Sequence, residues 1–160
     1  MSEFVIRDIS FGGGTLALSP LPGRTRHYGT DRERLLDWRP ALVISLASMA
    51  ELARKGAASL GEDLAAAGID WSHLPIEDMG VPDTEAEARW QTVSFRARDA
   101  LSNGQRVLVH CFGGCGRSGM VCLRLMVDGG EPWRPALARL RRVRPCAVQT
   151  DAQLAWGRGP

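Results

Sequence analysis

The stretch RVLVHCFGGCGRSGMVCLRLMV, Arg106 to Val127, decides the fold. It opens with Val107-Leu108-Val109, a short β-branched apolar run that predicts a buried strand. It closes with Met120, Val121, Leu123, Leu125, Met126 and Val127, which predict a largely buried helix. Between them lies His110-Cys111-Phe112-Gly113-Gly114-Cys115-Gly116-Arg117-Ser118-Gly119. A strand that turns through glycines into a helix start builds an anion cradle. The turn lets successive backbone N–H groups face inward, and the helix start adds unpaired donors and partial positive charge. Cys111 opens this loop and Arg117 closes it, with five residues between them. Such a field favours the thiolate of Cys111, since activated cysteines ionise at roughly 3.5–7.5 rather than ~8.5. Arg117 offers a planar fork to two oxygens of a phosphate-like anion.

Working outward from the cradle, strand and helix signals alternate. Phe4 to Ile9 and Thr15 to Leu18 read as a hairpin or two edge strands around Gly12-Gly13-Gly14, and Pro20-Leu21-Pro22-Gly23 reads as a turn. Capping-box spacing starts short helices at Thr30, Ser48 and Ser59. Ala41–Leu46 and Ile69–Ile76 read as strands. A loop over residues 77–83 precedes a long amphipathic helix from Thr84 to Ser102, with Ala88, Val93, Phe95, Ala97 and Leu101 among its apolar positions. Pro132 to Val143 predicts another helix, and Thr150 caps a last one around Trp156. This order implies an α/β fold with a central, mainly parallel sheet flanked by helices. Its site then lies at the carboxyl ends of the strands, where Cys111 falls.

The chain has 160 residues, a length suited to one compact unit spanning 1–160. Its net charge is only +2, which gives no case for nucleic acid, and the arginines at 139, 141, 142 and 144 read as a solvated helix face. Four cysteines, one inside an anion loop, do not resemble a disulfide framework. With charges at Glu3, Arg7 and Asp8 and no apolar span, neither signal peptide nor membrane segment is expected. The expectation is a reduced, cytoplasmic protein. A zinc site of His110, Cys111, Cys115 and Cys122 is disfavoured, because adjacent strand residues point to opposite faces and no paired C-x2-C knuckle exists.

HCFGGCGRSG resembles the His-Cys-x5-Arg-Ser/Thr loop of the cysteine-dependent protein phosphatases. The resemblance implies that Cys111 attacks phosphorus to form a phosphocysteine. The loop residues Phe112, Gly113, Gly114, Cys115 and Gly116, together with Arg117, then hold the phosphoryl oxygens. Ser118 eases departure of the sulfur, and His110 orders the loop. Asp78-Met79-Gly80-Val81-Pro82 is similar to the mobile acid loop of large tyrosine phosphatases, although Ile76 and Glu77 replace the usual tryptophan and proline. The wider HLPIEDMGVPD resembles the loop of cyclin-dependent-kinase-associated phosphatases, a dual-specificity branch. Asp78 is then the general acid, 33 residues before the nucleophile, while Asp83 caps the following helix. Ala147 to Leu154 is similar to the family's glutamine loop, with Gln149 placing water and Gln153 assisting.

The resemblance covers roughly residues 20 to 157. It implies a phosphorylated protein as substrate, phosphotyrosine foremost, with no cofactor. Two departures stand out. Cys115 occupies a position where a disulfide or sulfenyl product can form or where it merely fills space, and Ser45 sits near where some relatives hold a resolving cysteine. Two other classes compete: a phospho- or kinase-binding module without turnover, and a redox enzyme of the arsenate-reductase type that shares the C-x5-R cradle.

Overall fold

The computed structural model describes residues 3–160; Met1 and Ser2, part of the expected unit, lie outside them. Among the described residues five strands form one sheet: β1 (Arg7–Phe11), β2 (Gly14–Ser19), β3 (Leu42–Ser45), β4 (Asp70–His73) and β5 (Arg106–His110). Their spatial order is β1-β2-β5-β3-β4. Only the β1–β2 hairpin is antiparallel; β2 with β5, β5 with β3 and β3 with β4 are parallel. The mainly parallel sheet is therefore as expected. β2, read as a possible edge strand, instead pairs with β5 and carries Ser19 to the register of His110.

Alternation along the strands sends residues to two cores. Leu16, Leu18, Leu42, Ile44, Val107 and Val109 pack on one face, with α4 (Thr84–Ser102), α5 (Gly116–Asp128) and α6 (Trp133–Val143). Val43 and Leu108 face the other way. There they meet Leu35 of α1 (Tyr28–Asp37), Leu52 of α2 (Met49–Arg54), and Leu60 and Leu64 of α3 (Leu60–Ala66). Each such side chain contributes roughly 1.5–3 kcal/mol by leaving water. With both faces covered, the strands read as continuous apolar runs.

Several sequence expectations shift. α4 has the expected bounds, but Ala88 and Phe95 point outward, Phe95 being 64% exposed. The buried stripe runs instead through Ala86, Trp90, Val93, Ala97 and Leu101. α1 starts at Tyr28 without a side-chain cap, two residues before the expected Thr30 box. Asp31 is buried there because its carboxylate accepts the Gly23 N–H at 2.8 Å. Ser59 likewise makes no cap bond and turns to Asp63 at 3.0 Å. The Ser48 capping box does form, with Glu51. His73 donates to the Ala47 carbonyl at 2.7 Å and stacks on Trp71. The helix α7 (Asp151–Gly157) closes the chain over α5. No helix among the described residues is long and apolar enough to cross a membrane.

Candidate active site

β5 ends at His110, so its pairing with β3 and β2 fixes where Cys111 emerges, and α5 starts at Gly116. Cys111 is 3% exposed. Its Sγ accepts the Gly114 N–H at 3.3 Å and lies 3.4 Å from Ser118 Oγ. Gly114 adopts φ +73°, and a β-carbon there would lie 2.7 Å from Pro20 N, so both backbone conformation and packing demand glycine. At Gly116 a β-carbon would collide with the side-chain amides of Gln149 and Gln153, which cover this turn. The loop is thus wedged between the β2–α1 connection and the segment entering α7.

Arg117 is buried, and most of its guanidinium is already engaged. Nη1 donates to Glu51 Oε1 and to the Ile76 carbonyl, each at 2.9 Å, and Nη2 donates to Glu51 Oε2 at 2.9 Å. These bonds occupy three of its five N–H donors, and Asp78 Oδ1 lies 3.4 Å from Nη2. Burial works against the Arg117 charge, but the Glu51 bonds outweigh it and raise its pKa. Burial likewise raises the Glu51 carboxyl, and the bonds from Arg117 and the Ser48 N–H override this to hold it below the usual carboxylate range. Capping-box spacing accounts for Glu51 only as a helix cap. Its second function needed contact across 66 residues.

His110 is fully buried and its pKa is pushed down to about 4, chiefly by burial. Its tautomer follows from its partners. Nδ1 faces the Cys111 carbonyl at 3.0 Å and must donate, so in the neutral ring Nε2 accepts from Ser45 Oγ at 2.5 Å. Ser45 in turn accepts from Trp71 Nε1 at 2.7 Å. This Trp71–Ser45–His110 chain crosses β4, β3 and β5 and fixes the carbonyl next to the nucleophile. Ser45 therefore takes part in a hydrogen-bond relay.

The acid-loop candidates separate cleanly. Asp83 caps α4 by accepting the Ala86 N–H at 2.9 Å. Asp78 is 74% exposed at the side chain and faces Arg117. The turn that carries it closes through Gly80 N–H to the Glu77 carbonyl at 2.8 Å, and the left-handed residue is Met79 at φ +62°. Gln153 is fully buried. Its Oε1 accepts from Gln149 N at 2.9 Å and completes the Thr150 capping box, and its Nε2 donates to the Gly80 carbonyl at 3.2 Å. Gln153 thus ties α7 to the acid loop. Gln149 is exposed and lines the cavity above Cys111. That cavity measures about 380 Å³, and Arg24, Asp78, Phe112, Arg117, Arg144 and Gln149 stand around Cys111.

The outer face of the loop brings two corrections. Cys115 and Cys146 form a disulfide across a sequence separation of 31, so the expectation of four reduced thiols does not hold. Cys115 lines the cavity beside Cys111, and the chain leaving α6 brings Cys146 onto it. Arg144, read as part of a solvated face, donates to the Gly113 and Gly114 carbonyls at 2.9 and 3.0 Å. Val148 N adds a bond to the Cys115 carbonyl. With these carbonyls occupied by Arg144 and Val148, the Gly114 N–H is directed to Cys111 Sγ. The residues of the disfavoured zinc reading have other roles: His110 is in the relay, Cys115 is in the disulfide and Cys122 is a core thiol.

A buried cysteine under a cavity, a glycine loop that donates to its sulfur and an arginine clamped by a carboxylate form an arrangement suited to a phosphoryl group, as in the cysteine-phosphatase class. A family model described as "Polymorphic toxin system, DSP-PTPase phosphatase" matches residues 30–131. Cyclin-dependent kinase inhibitor 3 of Mus musculus is 32% identical over 145 residues, covering 86% of this chain and 67% of that protein. A crystal structure of kinase associated phosphatase, with its catalytic cysteine replaced by serine, superposes with a TM-score of 0.83 at 25% identity, covering 98% of this chain and 93% of that one. Tk-PTP in its active form gives 0.73 at 28% identity, over 94% and 92%. The chain belongs to the cysteine-based dual-specificity and tyrosine phosphatases, which are phosphoric monoester hydrolases. Within that family it stands near the kinase-associated phosphatases, and its function is that of a protein phosphatase.

Proposed function

We propose that the chain hydrolyses phosphotyrosine on a protein, with phosphoserine or phosphothreonine as further substrates, through a phosphocysteine formed at Cys111. The observation that carries this reading is Cys111 Sγ at the floor of the cavity, held by Gly114 N–H and Ser118 beside the clamped Arg117. The names of the relatives, a kinase-associated phosphatase and a kinase inhibitor, support a phosphorylated protein as the substrate class.

In the first step Sγ attacks phosphorus and the bond to the substrate oxygen breaks. Asp78 gives that oxygen its proton. The amides of residues 112–117 and the remaining Arg117 donors hold the phosphoryl oxygens where charge develops. In the second step water placed by Gln149 attacks phosphorus, Asp78 takes the water's proton, and Sγ leaves as thiolate with Ser118 Oγ hydrogen-bonded to it. Gln153 acts by keeping the acid loop against α7. No cofactor enters. The location proposed with this function is the cytoplasm, a setting that the Cys115–Cys146 disulfide strains, since disulfides seldom persist in reducing compartments.

Hydrolysis of p-nitrophenyl phosphate in EDTA tests the reading. Cys111→Ser should reduce turnover to background while phosphopeptide binding persists. Arg117→Lys should lose at least ~10²-fold in kcat/KM, since a point charge cannot both hold Glu51 and grip the phosphoryl group. Turnover by Cys111→Ser would sink the mechanism. Binding without turnover by the unaltered chain would instead favour a phospho-binding module.

A further inference from the structure

The face of the sheet that carries Val43 and Leu108 also carries Ser45, Trp71, His73 and His110, because residues two apart on a strand share a side. In register, Ser45 lies between His110 on β5 and His73 on β4. Three hydrogen bonds run through this group in one direction. Trp71 Nε1–H donates to Ser45 Oγ at 2.7 Å, Ser45 donates to His110 Nε2 at 2.5 Å, and His110 Nδ1–H donates to the Cys111 carbonyl at 3.0 Å. Indole nitrogen only donates, so its bond takes a lone pair of Ser45 and leaves the hydroxyl hydrogen for the imidazole. Each donor in such a series polarises the next, most where water is excluded, and Ser45 and His110 are fully buried. The Trp71 ring is fixed in its turn. It stacks on His73, and a β-carbon at Gly61 would lie 2.5 Å from it, so α3 seats against it.

The relay ends on the peptide between Cys111 and Phe112. In a trans peptide the C=O and N–H point in opposite directions, so a carbonyl held by His110 aims the Phe112 N–H away from His110. Resting on the phosphatase reading above, we infer that Trp71 and Ser45 are positioning residues for phosphoryl transfer. Acting through His110, they fix this peptide so that its N–H serves the phosphoryl group and its carbonyl stays off the thiolate. Neither touches the reacting atoms. Other charges face the same groups. Arg117, Glu51 and His73 act on His110. Arg24, Asp78, Arg117 and Arg144 stand around Cys111, and the Cys122 thiol of α5 couples to it. All of these stay in place when only the indole N–H is removed, so Trp71→Phe isolates the relay.

The experiment uses the full chain, p-nitrophenyl phosphate and iodoacetamide. Trp71→Phe keeps an aromatic ring against His73 and removes the donor, Ser45→Ala breaks the relay, and Ser45→Thr keeps the hydroxyl. In Trp71→Phe the acid limb of the kcat/KM profile should move to higher pH, and alkylation of Cys111 at about pH 6 should slow by about two- to threefold. Ser45→Ala should lose about tenfold in both readings at that pH, near the full worth of one hydrogen bond, and Ser45→Thr should restore most of it. His73→Phe, which keeps a ring against Trp71, should leave both readings unchanged. Nitrogen-15 NMR of the unaltered chain reads the imidazole directly. Above the His110 pKa of about 4, Nδ1 should carry the hydrogen and Nε2 none, and the Nδ1–H resonance should move upfield in Trp71→Phe. The Nε2–H tautomer overturns the relay whether or not any variant folds. A folded Trp71→Phe with an unmoved acid limb, alkylation rate and Nδ1–H resonance, even if less stable, makes Trp71 a packing residue and overturns the inference alone. No turnover of any phosphate ester by the unaltered chain overturns the phosphatase reading and the role in phosphoryl transfer with it.

Discussion

Asp78 and Asp83 sit five residues apart on one loop and are held in opposite ways. Asp83 has its carboxylate on the Ala86 N–H, a bond that stabilises the start of α4. Asp78 is open to solvent, lies 3.4 Å from Arg117 and lines the cavity above Cys111, and in the proposed mechanism it gives the leaving oxygen its proton. A general acid contributes ~10²–10⁴-fold, most where the leaving group is poor. Asp78→Asn should therefore slow hydrolysis of phenyl or alkyl phosphates sharply and of activated aryl phosphates far less. Asp83→Asn should cost on the order of 1 kcal/mol or less, because asparagine also caps, and should leave leaving-group dependence unaltered. Rate series against leaving-group pKa decide the matter: a steeper slope for Asp83→Asn alone would reverse the two assignments.

At the scale of elements, the loop between β5 and α5 is braced by the connection between α6 and α7. Arg144, the Cys115–Cys146 bond and Val148 N–H all act on residues 113–115, and the same connection then delivers Gln149 and Gln153. Closing a loop with a separation of 31 residues restricts the unfolded chain, an effect typically worth ~2–4 kcal/mol. Cys146→Ser should lower the unfolding free energy by about that amount in denaturant melts, and Cys115→Ser by a similar amount. The double variant should cost little more than either single one, since the bond is lost only once. A phosphine reductant should bring the unaltered protein to the same stability. Unchanged midpoints in all of these would show that the crosslink contributes nothing.

For the whole molecule, the buried His110 makes stability depend on pH with a definite sign. Its folded pKa, about 4, lies below the ~6.5 of an unfolded chain, so the unfolded state takes up the proton first as pH falls. Its contribution is complete above pH ~6.5 and declines through the interval down to about 4, at up to ~1.4 kcal/mol per pH unit. Glu51, whose carboxyl is held low, adds a second loss only at more acid pH, as it protonates and releases Arg117. Unfolding free energies measured between pH 7 and 4 should fall over this range. His110→Gln should be less stable at pH 7 but should show a flatter slope. An equal slope in the variant would place the acid sensitivity elsewhere.

What the sequence determined by itself was whatever depends on residues near one another in the chain. That includes the strand-loop-helix at 106–127, the capping by Ser48, Asp83 and Thr150, the bounds of α4 and the mainly parallel sheet. The candidates Cys111, Arg117, Ser118, Asp78 and Gln149 were legible for the same reason, and the fold brings them around one cavity or onto its nucleophile. Only the tertiary structure could decide which partner a long side chain chooses once distant segments meet. Glu51 serves Arg117 from the other side of the sheet order, Ser45 links Trp71 to His110, and Arg144 grips the loop instead of facing water. Helix periodicity also tolerated two registers in α4, and burial of Trp90 against Trp156 and Asp128 selected the one that leaves Phe95 outside. The Cys115–Cys146 bond belongs with these. Spacing states how many residues separate two thiols, and only the path of α6 back across α5 sets them within bonding distance.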